Sequence, residues 1–112
     1  MILFPAIDVK DGVCVRLESA RFPAIDGALD LARQGVRTSG DPRNRDFADR
    51  HVTLDGTSET LVALGFDPQT AGGLLISIPG DRAPALEAEF AARKLFIRRI
   101  GGVEEGQGVV VE

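Results

Sequence analysis

The chain holds one cysteine, one histidine and neither tryptophan nor tyrosine in 112 residues. The lone thiol, Cys14, excludes an internal disulfide. The lone imidazole, His51, has no second His, no Cys and no carboxylate at metal-ligand spacing, so it reads as a solvated loop residue and no metal site is expected. Six phenylalanines are the whole aromatic supply, too little for aromatic cages, base-stacking platforms or tyrosine acid chemistry. No apolar run approaches the roughly 18 residues of a membrane span and no charged-then-apolar leader opens the chain, so a membrane partner is excluded and the cytoplasm is the expected compartment. Thirteen Lys and Arg stand against 17 Asp and Glu, a net charge of -4. No stretch is basic enough for a phosphate backbone, and nucleic acid is not an expected partner.

What is present is an ordinary globular composition, 44% hydrophobic and 27% charged. A chain of this size buries one core but builds no interdomain cleft, so residues 1–112 are expected to form a single domain. The apolar run 2–9, the turn Lys10-Asp11-Gly12 and the alternating Val13-Cys14-Val15-Arg16-Leu17 predict a β-hairpin over 1–17. Val13, Val15 and Leu17 fall on one face, with Cys14 and Arg16 on the other, which suits a sheet buried on one side. A short helix is predicted over 26–35, with Asp26 as N-cap and Gly35 as its stop. From Val36 to Arg50 neither a period of 2 nor of 3.6 survives, which predicts a long polar loop. Residues 58–65 give one or two helical turns. Leu74-Leu75-Ile76-Ser77-Ile78-Pro79 is apolar on both faces and predicts a central strand covered on both sides. A helix is expected over about 82–95, capped by Asp81, with Leu86, Phe90, Ala91 and Leu95 toward the sheet. Strands over 96–100 and 109–111, separated by Gly101-Gly102 and a polar turn at 104–108, would close the domain. The fold class is therefore α/β (α+β): a single mixed sheet with helices packed on it.

The string Phe-Pro-Ala-Ile-Asp occurs at 4–8 and again at 22–26, with no similarity around the two copies. Chance explains it, and so does a joint between two unrelated coding segments; a stacking repeat does not. Residues 1–17 resemble the first strand of the phosphoribosylformimino-5-aminoimidazole carboxamide ribotide isomerase of histidine biosynthesis. In that family the residue matching Asp8 is an acid/base group at the C-terminal end of a barrel strand. The likeness stops at Leu17, and barrel catalysis assembles residues from several strands, so isomerase activity is not expected.

From about 25 to 112 the chain resembles the C-terminal domain of selenophosphate synthetase (selenide, water dikinase), in the superfamily of aminoimidazole ribonucleotide synthetase. The carrying string is Asp67-Pro68-Gln69-Thr70-Ala71-Gly72-Gly73-Leu74-Leu75-Ile76, with Gly27-Ala28-Leu29-Asp30-Leu31-Ala32 and Gly40-Asp41-Pro42-Arg43-Asn44-Arg45 in support. The resemblance implies a truncated synthetase-like domain with the N-terminal hairpin added. The family uses ATP to phosphorylate selenide, but its reactive Cys or selenocysteine, its neighbouring Lys and its metal-binding aspartates have no match here, and Cys14 lacks the flanking residues to stand in. No catalytic residue and no cofactor is expected, because phosphoryl transfer depends on metal ions and positioned cations.

Two readings of residues 67–73 stay open. A Pro-fixed turn before Gly72-Gly73 can present successive N–H groups to a phosphate, with Asp67, Gln69 and Thr70 supplying polar contacts. It can equally be a tight turn feeding a buried strand. Arg43, Asn44 and Arg45 could likewise grip phosphate or carboxylate, or form a solvated loop whose charges cancel. The candidate ligand-binding residues are Asp67, Gln69, Thr70, Gly72, Gly73, Arg43 and Asn44, for a phosphate-containing small molecule. The expected function is a non-catalytic chimeric or remnant domain that self-associates as a homodimer or larger assembly through apolar surface left open by truncation.

Overall fold

The computed structural model describes residues 12–69 and 71–112. The alternating segment forms β1, Val13–Leu17. The other strands are β2, Val52–Leu54, β3, Gly101–Glu105, and β4, Gly108–Val111. They make one four-stranded sheet in the order β2-β4-β1-β3, with β1 antiparallel to β3 and parallel to β4, and β4 parallel to β2. This is the single mixed sheet with helices expected of an α/β fold.

The first arm of the expected hairpin lies outside the described residues. Its second arm is the strand at the centre of the sheet. β3 and β4 pair along its two edges. The two strands that close the chain do not pair with each other, because β1 lies between them. Residues 96–100 are irregular, and Gly101-Gly102, expected as a break, opens β3. The glycine is required there: a Cβ at Gly101 would collide with the Arg16 carbonyl oxygen and lie 3.0 Å from Leu17 Cα. Residue 102 meets nothing within 4 Å.

The main core lies on the face of the sheet that the alternation predicts, but Cys14, on the other face, is buried as well, while Val13 and Val15 are only half-buried. Leu17, Val109 and Val111, with half-buried Val15 and Val52, pack against Phe22, Ala48, Val62, Phe66 and Ile100. Arg16 lies on the opposite, solvated face, reaching Glu104 at 3.4 Å and also Glu112. Val62 and Phe66 come from helix α3, Glu59–Phe66, whose N-cap Ser58 accepts a 3.4 Å bond from the Leu61 N–H. Each fully buried aliphatic or aromatic side chain in such a cluster contributes on the order of 1.5–3 kcal/mol. Strand ends are tied by backbone bonds from Ser19 N–H to Glu112 O, 2.7 Å, and from Val109 N–H to His51 O, 2.7 Å.

Helix α1, Ala28–Arg33, starts after Gly27, which takes a left-handed φ of 84°, so Asp26 is not its cap. The expected loop over 36–50 contains a two-turn helix, α2, Asp41–Ala48. Its inward stripe runs i, i+3, i+4, i+7 as Asp41, Asn44, Arg45 and Ala48, so the helical period is carried by polar residues and is invisible to hydropathy.

The expected central strand is a second correction. Residues 72–79 have no regular structure, and Leu74 is 84% exposed, with Leu75, Ile76 and Ile78 also exposed. Helix α4, Ala83–Ala92, follows after Arg82 rather than an Asp81 cap, and none of its residues is buried. Leu86 and Phe90 are half-buried, whereas Ala91 and Leu95 are exposed. Strand propensity is realised only against neighbouring strands, and the described residues offer 74–78 none.

Gly101→Ala is expected to destabilise the fold by about 3 kcal/mol, since rigid backbone receives the added methyl. Gly102→Ala should change stability by less than about 0.5 kcal/mol. Urea denaturation of the two variants checks this, and equal midpoints would contradict the close β1–β3 approach.

Candidate functional site

The residues expected to hold an anion fall in three places. Asn44, half-buried on α2, donates from Nδ2 to the Phe66 carbonyl oxygen at 2.8 Å, closing a last-turn carbonyl of α3. Asp67, Pro68 and Gln69 follow α3 and are half-buried. Pro68 lies so close to Gly40 that a Cβ there would sit 2.8 Å from Pro68 Cγ. Arg43, Gly72 and Gly73 are exposed, Gly73 with nothing within 4 Å of a built Cβ, and Arg43 enters no ion pair among the described residues. Thr70 lies outside the described residues. The fold thus brings Asn44 to the start of the Asp67 segment and leaves Arg43 and the glycines open to solvent.

The strongest polar cluster centres on Arg45, which the sequence offers as an anion grip and whose carboxylate partners are Asp41 and Glu59 of this chain. Asp41 is 6% exposed and receives Arg45 Nε at 2.7 Å. The same guanidinium reaches Glu59 at 2.7 Å and lies 5.3 Å from the centre of the Phe66 ring. Arg37 approaches Glu59 from the other side at 3.6 Å. The one signal for this arrangement is the i,i+4 spacing of Asp41 and Arg45 behind Pro42 in a first turn. Its chemistry is structural: one planar cation joins the start of α2 to the start and end of α3.

The hydrogen bond from Arg45 holds the Glu59 carboxyl below the usual glutamate range; desolvation opposes this, and the charges of Arg45 and Arg37 assist it. A depressed folded value stabilises the fold above the ordinary glutamate pKa, and this contribution disappears as pH falls through the lowered value.

A shallow depression of about 250 Å³ lies on the solvated sheet face, lined by Arg16, Glu18, residues 101–104 and Glu112. Its guanidinium is taken by Glu104 and Glu112. No group of three or more His, Cys, Asp or Glu among the described residues could hold a metal ion. No helix among them is long and apolar enough to cross a membrane. Cys14 is buried and free, and behaves as a small apolar residue.

Comparison with known proteins gives this geometry a context. The similarity is to selenide, water dikinases. The chain is 39% identical over 75 residues to a selenide, water dikinase 2 of Peptoclostridium acidaminophilum, 67% of this chain and 22% of that protein. It is 36% identical over 99 residues to a selenide, water dikinase of Citrifermentans bemidjiense, 88% of this chain and 28% of that one. A Geobacter selenide, water dikinase matches at 38% over 96 residues, 86% of this chain and 27% of its own length. The chain thus spans about a quarter of the length of these curated relatives and resembles a fragment of them. No family model matches it.

Replacing Arg45 by Met leaves the buried Asp41 carboxylate without its cation and should destabilise the fold by about 2 kcal/mol. In Glu59→Gln, stability is expected to fall less between pH 6 and pH 3 than in the parent chain. Chemical denaturation across that range measures both, and an unchanged acid limb would show that Glu59 is not held by Arg45.

Proposed function

We propose that this chain is a non-catalytic, self-associating domain related to part of a selenide, water dikinase, with residues 1–17 joined to it from a separate, isomerase-like coding segment. The observation that carries this reading is the exposed apolar arm: Leu74, Leu75, Ile76, Ile78, Leu95 and Phe96 all face solvent. Contiguous exposed apolar surface on a soluble domain marks an interface. The polar groups support the non-catalytic half. Arg45 and Asn44 brace α2 against α3, and Arg37, ahead of α2, bonds the Ala32 carbonyl and approaches Glu59. The action of the relatives on selenide and water is not assigned to this quarter of their length.

A second reading, a small phosphate-binding module, is favoured by the exposure of Arg43 and of Gly72-Gly73. Titration calorimetry with inorganic phosphate and ATP tests it, and no heat at millimolar ligand would remove it.

Sedimentation velocity at micromolar chain is expected to show a species of at least twice the chain mass. A monomer throughout the micromolar range would overturn self-association. ATP turnover with selenide by the purified chain would overturn the non-catalytic assignment.

A further inference from the structure

β3 and β4 follow one another with only Gly106-Gln107 between them, and they run antiparallel, since β3 is antiparallel and β4 parallel to β1. Consecutive antiparallel strands this close in sequence ordinarily pair as a hairpin. Here they stand apart, with β1 inserted between them. Glu105 lies beside Val13 on one edge of β1, and Gly108 lies beside Cys14 on the other. The two intervening residues therefore bridge two strand spacings, about 9.6 Å, close to the roughly 10 Å that three residue steps reach. The bridge has almost no slack.

The same residues also fit a closed hairpin. A three-residue hairpin loop ends in a left-handed residue, a position that glycine fills without strain. Gly108 already has a φ of 75°. With residues 106–108 as that loop, Glu105 comes opposite Val109 and Val103 comes opposite Val111. In the observed sheet Val103 and Val109 both lie beside Val15, and Val111 lies beside Leu17, so the three valines share one face. The closed register keeps that face, and neither strand has to turn over. The far edge of β4 is held without β1: β2 pairs with it, and the Val111 carbonyl accepts from the Asp55 N–H at 2.7 Å and from Thr57 Oγ1 at 3.0 Å.

We infer that residues 101–111 have two pairings, the split one around β1 and a direct β3–β4 hairpin, so that β1 is a releasable strand whose withdrawal closes the hairpin while β2, β4 and α3 stay together. The inference goes beyond the self-association reading and does not depend on it. Release breaks both β1 ladders and the Glu18 N–H bond to the Ile100 carbonyl at 2.8 Å, and it takes Leu17 out of the core. The split pairing therefore dominates, and the hairpin is a minor state reached by opening one strand instead of the whole fold. Gly101 tells the two apart. An added methyl there meets the Arg16 carbonyl only while β1 is in place.

Cys14 sits buried on β1, so the rate at which DTNB labels its thiol reports release. Labelling of the parent is expected to depend on urea more weakly than global unfolding does, because less surface opens. Gly101→Ala should be labelled at least tenfold faster, and Gly102→Ala at the parent rate. As a second test, Val103→Cys and Val111→Cys are combined in a Cys14→Ser background. The two positions lie opposite each other in the hairpin but on either side of β1 in the split sheet, beyond disulfide reach. Oxidation without denaturant is expected to join them, with the helical circular dichroism retained. Labelling of parent and Gly101→Ala with the full urea dependence of global unfolding would overturn the releasable strand. So would failure of the 103–111 disulfide to form under native conditions.

Discussion

The structure depends on one five-residue strand being paired along both edges. β1 receives β3 on one side and β4 on the other, and β4 in turn receives β2. The strands on either side of β1 come from the far end of the chain, so the sheet forms only when residues 13–17 meet residues 101–111. Closing an intervening loop of that length costs on the order of 4 kcal/mol in chain entropy. That cost is offset by two strand ladders and by the apolar face of Leu17, Val109 and Val111, which gives α3 and Phe22 a surface to bury against. The close approach at Gly101 follows from the same requirement, since β3 must enter alongside Arg16 and Leu17 without a side chain in the way.

This arrangement divides the chain into a body and an arm. In the body, charge and polarity are used internally: Arg45 joins Asp41 to Glu59, and Asn44 closes α3. In the arm, apolar residues are exposed and α4 contributes nothing to the core. The composition alone conceals this partition, because a 44% hydrophobic content is compatible with one core of ordinary size. What matters is where the hydrophobic residues find partners, and the four between 74 and 78 find none in the described sheet.

The elements legible in the sequence are those whose signal is local. The period-2 alternation of 13–17 gave both the strand and its buried face, and Gly35 and Ser58 mark helix boundaries where the folded chain places them. α2 was illegible because its inward stripe is Asp41, Asn44, Arg45 and Ala48, and an apolar period cannot register a buried ion pair. β2 is only three residues long, with one half-buried side chain, too short for any alternation to appear. The run 74–78 was misread for the opposite reason. Its hydropathy is that of a central strand, but being central is a property of neighbours, and neighbours are not written in the run itself. Of the candidate site, Asn44 and Asp67 are brought into one region, but nothing local announces that the Asn44 amide closes a helix carbonyl instead of facing solvent.

The misreading of 74–78 is itself informative. A segment apolar on both faces is stable only with a strand on at least one edge and cover above and below. The described sheet ends in two unpaired edges, at β2 and at β3, and Val103 on β3 is exposed. Residues 79–100, with α4 among them, are long enough for a β-α-β crossover that would bring 74–78 alongside β3 within one chain, yet 74–78 is irregular and no residue of α4 is buried. The strand pattern of 74–78 is thus left without a partner among the described residues, and it is this exposed apolar run that the proposed self-association would cover.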